Sequence, residues 1–525
     1  MKIQKKMLVA FLLVPTLAAA QQPADLITAR SLRAHMFFLA ADEMAGRNAT
    51  SPEGRIAANY VAAHFMRLGL KPAGDNGTYF QNFDMVASMT DDRRMSLTAK
   101  VGGTTRTFQL DHDFFYFFVQ SATPTQVEAP VAFAGYGINA PEYGYNDFSG
   151  LDLAGKVALV LDREPQANDP RSKFKGQWDT IHSYLWYKIE QVRKAGAAGI
   201  LVVREAVPRR KVRIPSAPVN NWRPSPKIAL ADSRFDIPVF QVTREVANQV
   251  LAPTGKTVDQ AQKAIDDSGA PASFDVPDVR VTMVKSFQDR ELRHTRNVLG
   301  ILEGSDPALR DEFVVVSGHY DHVGIVGGRI YRGADDNASG TIGMMEIAEA
   351  FVRGNVRPKR SILFAAWEAE ERGLLGAFYY VDHPTVPLEK TVANLNMDMI
   401  GRDEDSVDWP TPPDHNVNMV NVSGTPYNPQ LKEIIDSENR KTGLKLDYKT
   451  DAVDPESWFA RSDHFCFAIH RVPMVLFNTG EHLDYHTEND TWDRINYPKM
   501  EKIVRLIFLS TADVANRPAR IEFTP

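Results

Sequence analysis

A chain of 525 residues with 43% hydrophobic and 24% charged residues has a globular composition, and at ~150 residues per domain it is too long for one ordinary domain. Sixty Lys and Arg against 66 Asp and Glu give a net charge of −6, and the body of the chain has no basic run, which speaks against nucleic acid as a partner. A single cysteine, Cys466, excludes an intramolecular disulfide.

Residues 1–6, MKIQKK, are basic, Met7–Ala20 is apolar, and small residues stand at Ala18 and Ala20 before Gln21. That order predicts a signal peptide over 1–20 and a secreted or periplasmic product. Its removal takes Lys2, Lys5 and Lys6 and no acid, so −6 becomes −9. The run falls short of the ~20 residues of a span, and no later stretch approaches that length, so no stable membrane association is expected after cleavage.

Residues 28–70 carry apolar residues at helical spacing with a break over 40–45, and Gly69 and Pro72 end the pattern. Residues 77–118 suit strands. Short apolar strands then alternate with helical stretches: Val131–Phe133, Lys156–Leu161, a helix over Tyr184–Ala195, Ala198–Val203 and Pro238–Val242, with a Pro-, Arg- and Ser-rich loop over about 205–235. A second alternation starts at Asn297, with strands at Val298–Leu302, Phe313–Ser317, Ser361–Ala366 and Thr391–Met397 and a helix at Ala338–Val352. This predicts an α/β fold, a mostly parallel mixed sheet sandwiched by helices, with a smaller domain inserted in it.

Open α/β sheets place ligands beyond the carboxyl ends of their strands. There the sequence puts Gly318-His319-Tyr320-Asp321-His322, Gly333-Ala334-Asp335-Asp336-Asn337-Ala338-Ser339-Gly340, Glu368-Ala369-Glu370-Glu371, Asn396-Met397-Asp398-Met399 and Asp484-Tyr485-His486-Thr487. Any one of these has an ordinary explanation, such as an N-cap or a solvated helix face. Their repetition at successive strand ends does not. Converging carboxylates repel unless cations neutralise them, and two imidazoles with three carboxylates, one bridging, suit two Zn²⁺ ions with open positions.

These motifs, with Leu39–Arg47 and Leu68–Pro72, resemble the co-catalytic zinc peptidases typified by secreted bacterial leucyl aminopeptidase, aminopeptidase Y and glutamate carboxypeptidase. The resemblance implies the zinc-exopeptidase fold (phosphorylase/hydrolase-like), with a β-rich α/β protease-associated domain inserted over 120–275 between a peptidase part at 21–119 and a catalytic part at 276–525. It implies that Asp335 bridges two zinc ions, that His319 and Asp398 complete one and Glu371 and His486 the other, and that Glu370 is the general base. It further implies that Asp321 holds the far nitrogen of His319 and that the Asp335–Asp336 peptide bond is cis.

The activity implied is a metallo-aminopeptidase acting on peptides with a free N-terminus. A carboxypeptidase or dipeptidase of the same family would need a basic pocket, and Arg372, Arg402, Arg461 and Arg471 lie near the motifs. A glutaminyl cyclase would use one zinc, and a non-catalytic binding protein would have lost ligands. The sequence assigns no role to His322, His464, His470 and His482, Arg471 stands where the family usually has Gly, and Cys466 reads as a packing residue. The sequence is silent on oligomeric state.

Overall fold

The N-terminal helices are set by their caps. Thr28 accepts the Ser31 N–H at 3.2 Å to start α1 (Ala29–Leu39), and Ser51 accepts the Gly54 N–H at 3.0 Å to start α2 (Pro52–Leu68), whose first residue is the proline such a position favours. Gly69, at φ 71°, closes α2 in the left-handed region. This computed structural model describes residues 22–525 apart from 117–120, 168, 177–178, 205–226, 234–235, 405–416 and 453–457, and the leader read at 1–20 lies outside the described residues.

The strands then follow as β1 (Phe80–Thr90), β2 (Ser96–Val101), β3 (Thr104–Phe108), β4 (Phe114–Tyr116), β5 (Thr125–Phe133), β6 (Val157–Leu161), β7 (Gly199–Val203), β8 (Lys227–Leu230), β9 (Val239–Val242), β10 (Phe274–Lys285), β11 (Phe287–Leu302), β12 (Phe313–His319), β13 (Ser361–Trp367), β14 (Thr391–Met397), β15 (Met419–Ser423), β16 (Lys445–Asp447) and β17 (Met474–Asn478). The principal sheet has the order β8-β1-β11-β13-β12-β14-β17-β15-β16, with Lys71–Pro72 also paired to β11. Its centre, β13-β12-β14-β17, is parallel, and antiparallel strands flank it. The α/β class expected from the sequence is what the chain adopts.

Parallel strands need helices on both faces, and the central strands alternate accordingly. Val314, Val316, Ile362, Phe364 and Leu395 pack toward α1, α2, α3 (Gly340–Arg353) and α4 (Tyr497–Asn516). Val315, Leu363, Ala365 and Trp367 pack the other way, with the helix Leu375–Asp382 and the segment Phe465–Ala468 that includes Cys466. Each Val, Ile, Leu and Phe side chain among them gains ~1.5–3 kcal/mol on burial. Strand ends anchored by that much packing are rigid places from which to project polar groups. Among the described residues no helix is long and apolar enough to cross a membrane.

A second sheet runs β3-β2-β10-β5-β6-β7-β9-β4 around its own core. Its strands come from Ser96 through Lys285, a wider span than 120–275, because β2 and β5 both ladder antiparallel onto β10. The loop expected over 205–235 contains β8, which leaves this unit to pair with β1 of the principal sheet. That partner lies far back in the chain, so no local pattern announces the pairing.

Candidate functional site

His319 is the last residue of β12, fully buried, with its carbonyl fixed by the Thr341 hydroxyl at 2.6 Å. Glu370 and Glu371 follow β13, Asp398 follows β14, and His486 comes from the loop after β17. Four parallel strands thus aim the predicted groups at one point beyond their carboxyl ends. Ala369, Met399 and His486 take left-handed backbone there, at φ 59°, 59° and 52°. For non-glycine residues such conformations are costly and gather at functional sites.

Asp336, rather than Asp335, faces the cluster. Two groups of potential metal donors form at this point: His319, Asp336 and Asp398, and His322, Asp336, Glu371 and His486. Asp336 belongs to both, and its oxygens divide between them. Oδ1 lies 3.5 Å from His319 Nε2, while Oδ2 lies 2.8 Å from His486 Nε2 and 3.7 Å from His322 Nδ1. Asp398 Oδ1 is 3.4 Å from His319 Nε2, and Glu371 Oε2 is 3.3 Å from His486 Nε2.

Asp335 is occupied elsewhere. Its Oδ1 accepts the Gly401 N–H at 2.6 Å and its Oδ2 lies 3.3 Å from His482 Nε2. The cis bond is likewise one residue later than expected, at Asp336–Asn337. Two adjacent aspartates look alike in sequence, and which one faces the cluster depends on an irregular turn over Ala334–Ser339 that no helical or strand period describes. That turn is held from outside. The Asp490 carboxylate accepts the N–H groups of Asp335 at 3.0 Å and Asp336 at 3.1 Å, and the Asn337 side chain bonds Gly340 N and Met397 O.

Asp321 meets the far ring nitrogen of His319 mainly through its backbone. His319 Nδ1 lies 3.2 Å from the Asp321 carbonyl oxygen and 3.6 Å from its carboxylate, so the backbone carbonyl is the nearer partner. The Asp321 carboxylate instead accepts the N–H of Glu370 at 3.0 Å. Glu370 Oε2 stands 3.7 Å from His319 Nε2. Burial, together with Asp398, Asp463 and Glu371, pushes the Glu370 carboxyl well above its ordinary range, while His319 works the other way.

The site's field is strongly negative. Burial would depress the His486 imidazole, yet Glu371 and Asp336 raise it to about 10. His319 is raised too, by Glu370 and Asp398 against burial. His319 Nε2, Asp398 Oδ1 and Glu371 Oε1 are buried without hydrogen-bond partners. Buried polar atoms are normally satisfied. Orphaned imidazole and carboxylate donors that converge are the set a divalent pair fits, and mixed N/O donors suit zinc.

Two residues without a role in the sequence reading stand out. His322 is fully buried within the second group. Arg47, also fully buried, donates to the carbonyls of Leu39, Tyr320, Arg332 and Gly333, tying the loop after β12 to the turn that carries Asp336. The only sequence signal for Arg47 was its place in the Leu39–Arg47 motif. Of the four arginines considered for a terminal carboxylate, Arg402 meets Asp484 at 2.8 Å, Arg461 meets Glu481 at 3.1 Å and Arg471 meets Glu142 at 2.9 Å.

Residues 297–511 match Peptidase family M28. Aminopeptidase YwaD of Bacillus subtilis is 38% identical over 270 residues, 50% of this chain and 45% of that protein. Leucine aminopeptidase 2 of Arthroderma otae is 26% identical over 259 residues, 45% of this chain and 48% of that protein. The chain therefore spans about half the length of these curated relatives. Among solved structures, an aminopeptidase from Aneurinibacillus sp. strain AM-1 is 17% identical with a TM-score of 0.45, over 97% of this chain and 98% of that one.

Proposed function

We propose, from the match of residues 297–511 to peptidase family M28, that the chain is an exported dizinc aminopeptidase of that family, removing N-terminal residues from peptides. The relatives' names carry the aminopeptidase activity, and the orphaned donor set supports zinc. The observation that carries the dinuclear reading is the division of the two Asp336 oxygens between two donor groups. His319 and Asp398 would hold one ion and Glu371 and His486 the other, with Asp336 shared. The leader-like residues 1–20 support export. The second sheet, with strands from Ser96 to Lys285, is our reading of the inserted domain.

When bound, the ion pair supplies an acidified water and polarises the scissile carbonyl. The chain's own groups do the rest. Glu370, its backbone fixed by Asp321 and its carboxyl beside His319, accepts the proton of the attacking water and returns it to the leaving amine. The surrounding carboxylates favour a cationic α-amine over a terminal carboxylate. The pairing of Arg402, Arg461 and Arg471 with acids also disfavours the carboxypeptidase reading.

The test is hydrolysis of one leucine-terminated peptide, free and N-acetylated, by zinc-loaded protein. Cleavage of the free peptide alone, releasing leucine, supports the proposal. Cleavage of both, or release of the C-terminal residue, overturns it.

A further inference from the structure

The two donor groups are unequal. The first has three residues, His319, Asp336 and Asp398, and the second has four, His322, Asp336, Glu371 and His486. We propose that His322 is a fourth protein ligand of the second metal position, so that this position is closed by the protein while the first stays open. The proposal rests on the dinuclear reading above and deepens it by dividing the labour between the two positions.

The alternative for His322 is a hydrogen bond that orients Glu371. Its Nδ1 does approach Glu371 Oε1 to 2.6 Å, and yet both atoms are left without a hydrogen-bond partner. The distance allows a hydrogen bond, and it equally allows two metal donors side by side. Side-by-side donors are what a common ion requires. In a tetrahedral site with bonds of about 2.0–2.1 Å, ligand atoms stand roughly 3.3 Å apart. The separations within this group, 2.6 Å (His322 Nδ1 to Glu371 Oε1), 2.8 Å (His486 Nε2 to Asp336 Oδ2), 3.3 Å (His486 Nε2 to Glu371 Oε2) and 3.7 Å (His322 Nδ1 to Asp336 Oδ2), bracket that figure, with Glu371 turning one oxygen to each imidazole.

The fold also fixes the ring. The backbone N–H of His322 donates to the Arg47 carbonyl at 3.2 Å, which places the residue. Gly333, at φ 60°, lies so close that a Cβ there would come within 2.4 Å of the imidazole Cγ. That turn therefore presses on the ring from the side of the loop that carries Asp336, and only a residue without a side chain fits.

Four protein donors make a closed, structural type of zinc position, whereas three leave a place for water or substrate. Glu370 is placed accordingly, 3.7 Å from His319 and thus beside the three-residue group. Water would be taken where the base stands, and the closed position would hold its ion more tightly and fill first.

X-ray absorption at the zinc edge of protein loaded with one equivalent of Zn²⁺ tests this on the unaltered chain. Two imidazoles per zinc are expected, from His322 and His486, and a single imidazole would overturn the proposal. Zinc affinity by chelator competition adds a second arm with His322→Asn, which can still donate to Glu371 but ligates poorly. Loss of an outer hydrogen-bond partner typically costs 10–100-fold in affinity, so loss of a ligand should weaken the first equivalent by more than about 100-fold and leave the second nearly unchanged. Unaltered tight binding in His322→Asn would overturn the assignment. Failure of the dinuclear reading would look different, as fewer than two equivalents bound by the unaltered chain. Failure of the aminopeptidase reading would leave both zinc arms intact.

Discussion

Both sheets of this protein bury charge, but two clusters, one by each sheet, treat it in opposite ways. Near the second sheet, Asp147 accepts N–H groups from Tyr136 and Ile138 at 3.0 Å and the Tyr145 hydroxyl at 2.7 Å, Glu164 accepts from the backbone and hydroxyl of Thr180, and Lys188 donates to the Tyr136 carbonyl at 2.6 Å. Burial still pushes Asp147 to about 6 and Glu164 to about 8, and lowers Lys188 to about 8. None of these three side chains is left without a hydrogen-bond partner. Beyond the principal sheet, His319 Nε2, His322 Nδ1, Glu371 Oε1 and Asp398 Oδ1 are left so. A buried charge whose bonds are all made belongs to the scaffold. Buried donors that converge unbonded on one point ask for something the polypeptide does not itself supply.

Substitutions sharpen this contrast. The largest effect is expected at Asp336, where Asp336→Ala should remove a donor from both groups, abolish dinuclear zinc binding and reduce peptidase activity to background. The neighbouring Asp335→Ala should retain two zinc ions and lose only about 10–100-fold, as for an outer partner. Zinc content by emission spectroscopy beside peptide turnover checks the pair, and equal losses at the two positions would erase the distinction drawn between them.

Next comes Glu370→Gln, expected to cost about 10²–10⁴-fold in kcat with zinc content unchanged, since it removes proton transfer but no donor. Full activity in that variant would remove Glu370 from the mechanism.

On the scaffold side, Asp147→Ala should leave zinc and activity alone but cost about 3 kcal/mol or more, because it strands two backbone N–H groups and the Tyr145 hydroxyl, each worth ~1–3 kcal/mol when buried unsatisfied. Thermal unfolding reads this, and zinc loss in the folded variant would contradict the division between the two regions.

The smallest effect is expected at Arg471. It holds φ 58°, where glycine is at ease, and spans to Glu142 at 2.9 Å and the Tyr187 hydroxyl at 3.5 Å beside the second sheet. Arg471→Gly relieves backbone strain of ~1–2 kcal/mol and removes an ion pair worth ~0–1 kcal/mol, so stability should change by no more than about 1–2 kcal/mol. The melting temperature measures it, and a large destabilisation would mean that this contact carries the junction between the two sheets.

The alternation of apolar strands with helical stretches, and the delivery of His319, Glu370, Glu371, Asp398 and His486 at successive strand ends, were legible from the chain alone, because both follow from local periods and from where parallel strands stop. Three things were not. The choice of Asp336 over Asp335 is made in an irregular turn clamped by Asp490, whose carboxylate arrives from a loop distant in sequence. The entry of His322 depends on Gly333 and Arg47 bringing two loops together, and a residue three beyond His319 in continued strand would have pointed to the opposite face. The extent of the second sheet is set by ladders between β2, β5 and β10, and the exit of β8 to the principal sheet by a ladder to β1. Period and composition determine which elements form and roughly where their ends lie. The direction of a side chain in a turn, and the partner of a strand, are settled by contacts between segments far apart in the chain, which only the tertiary structure makes.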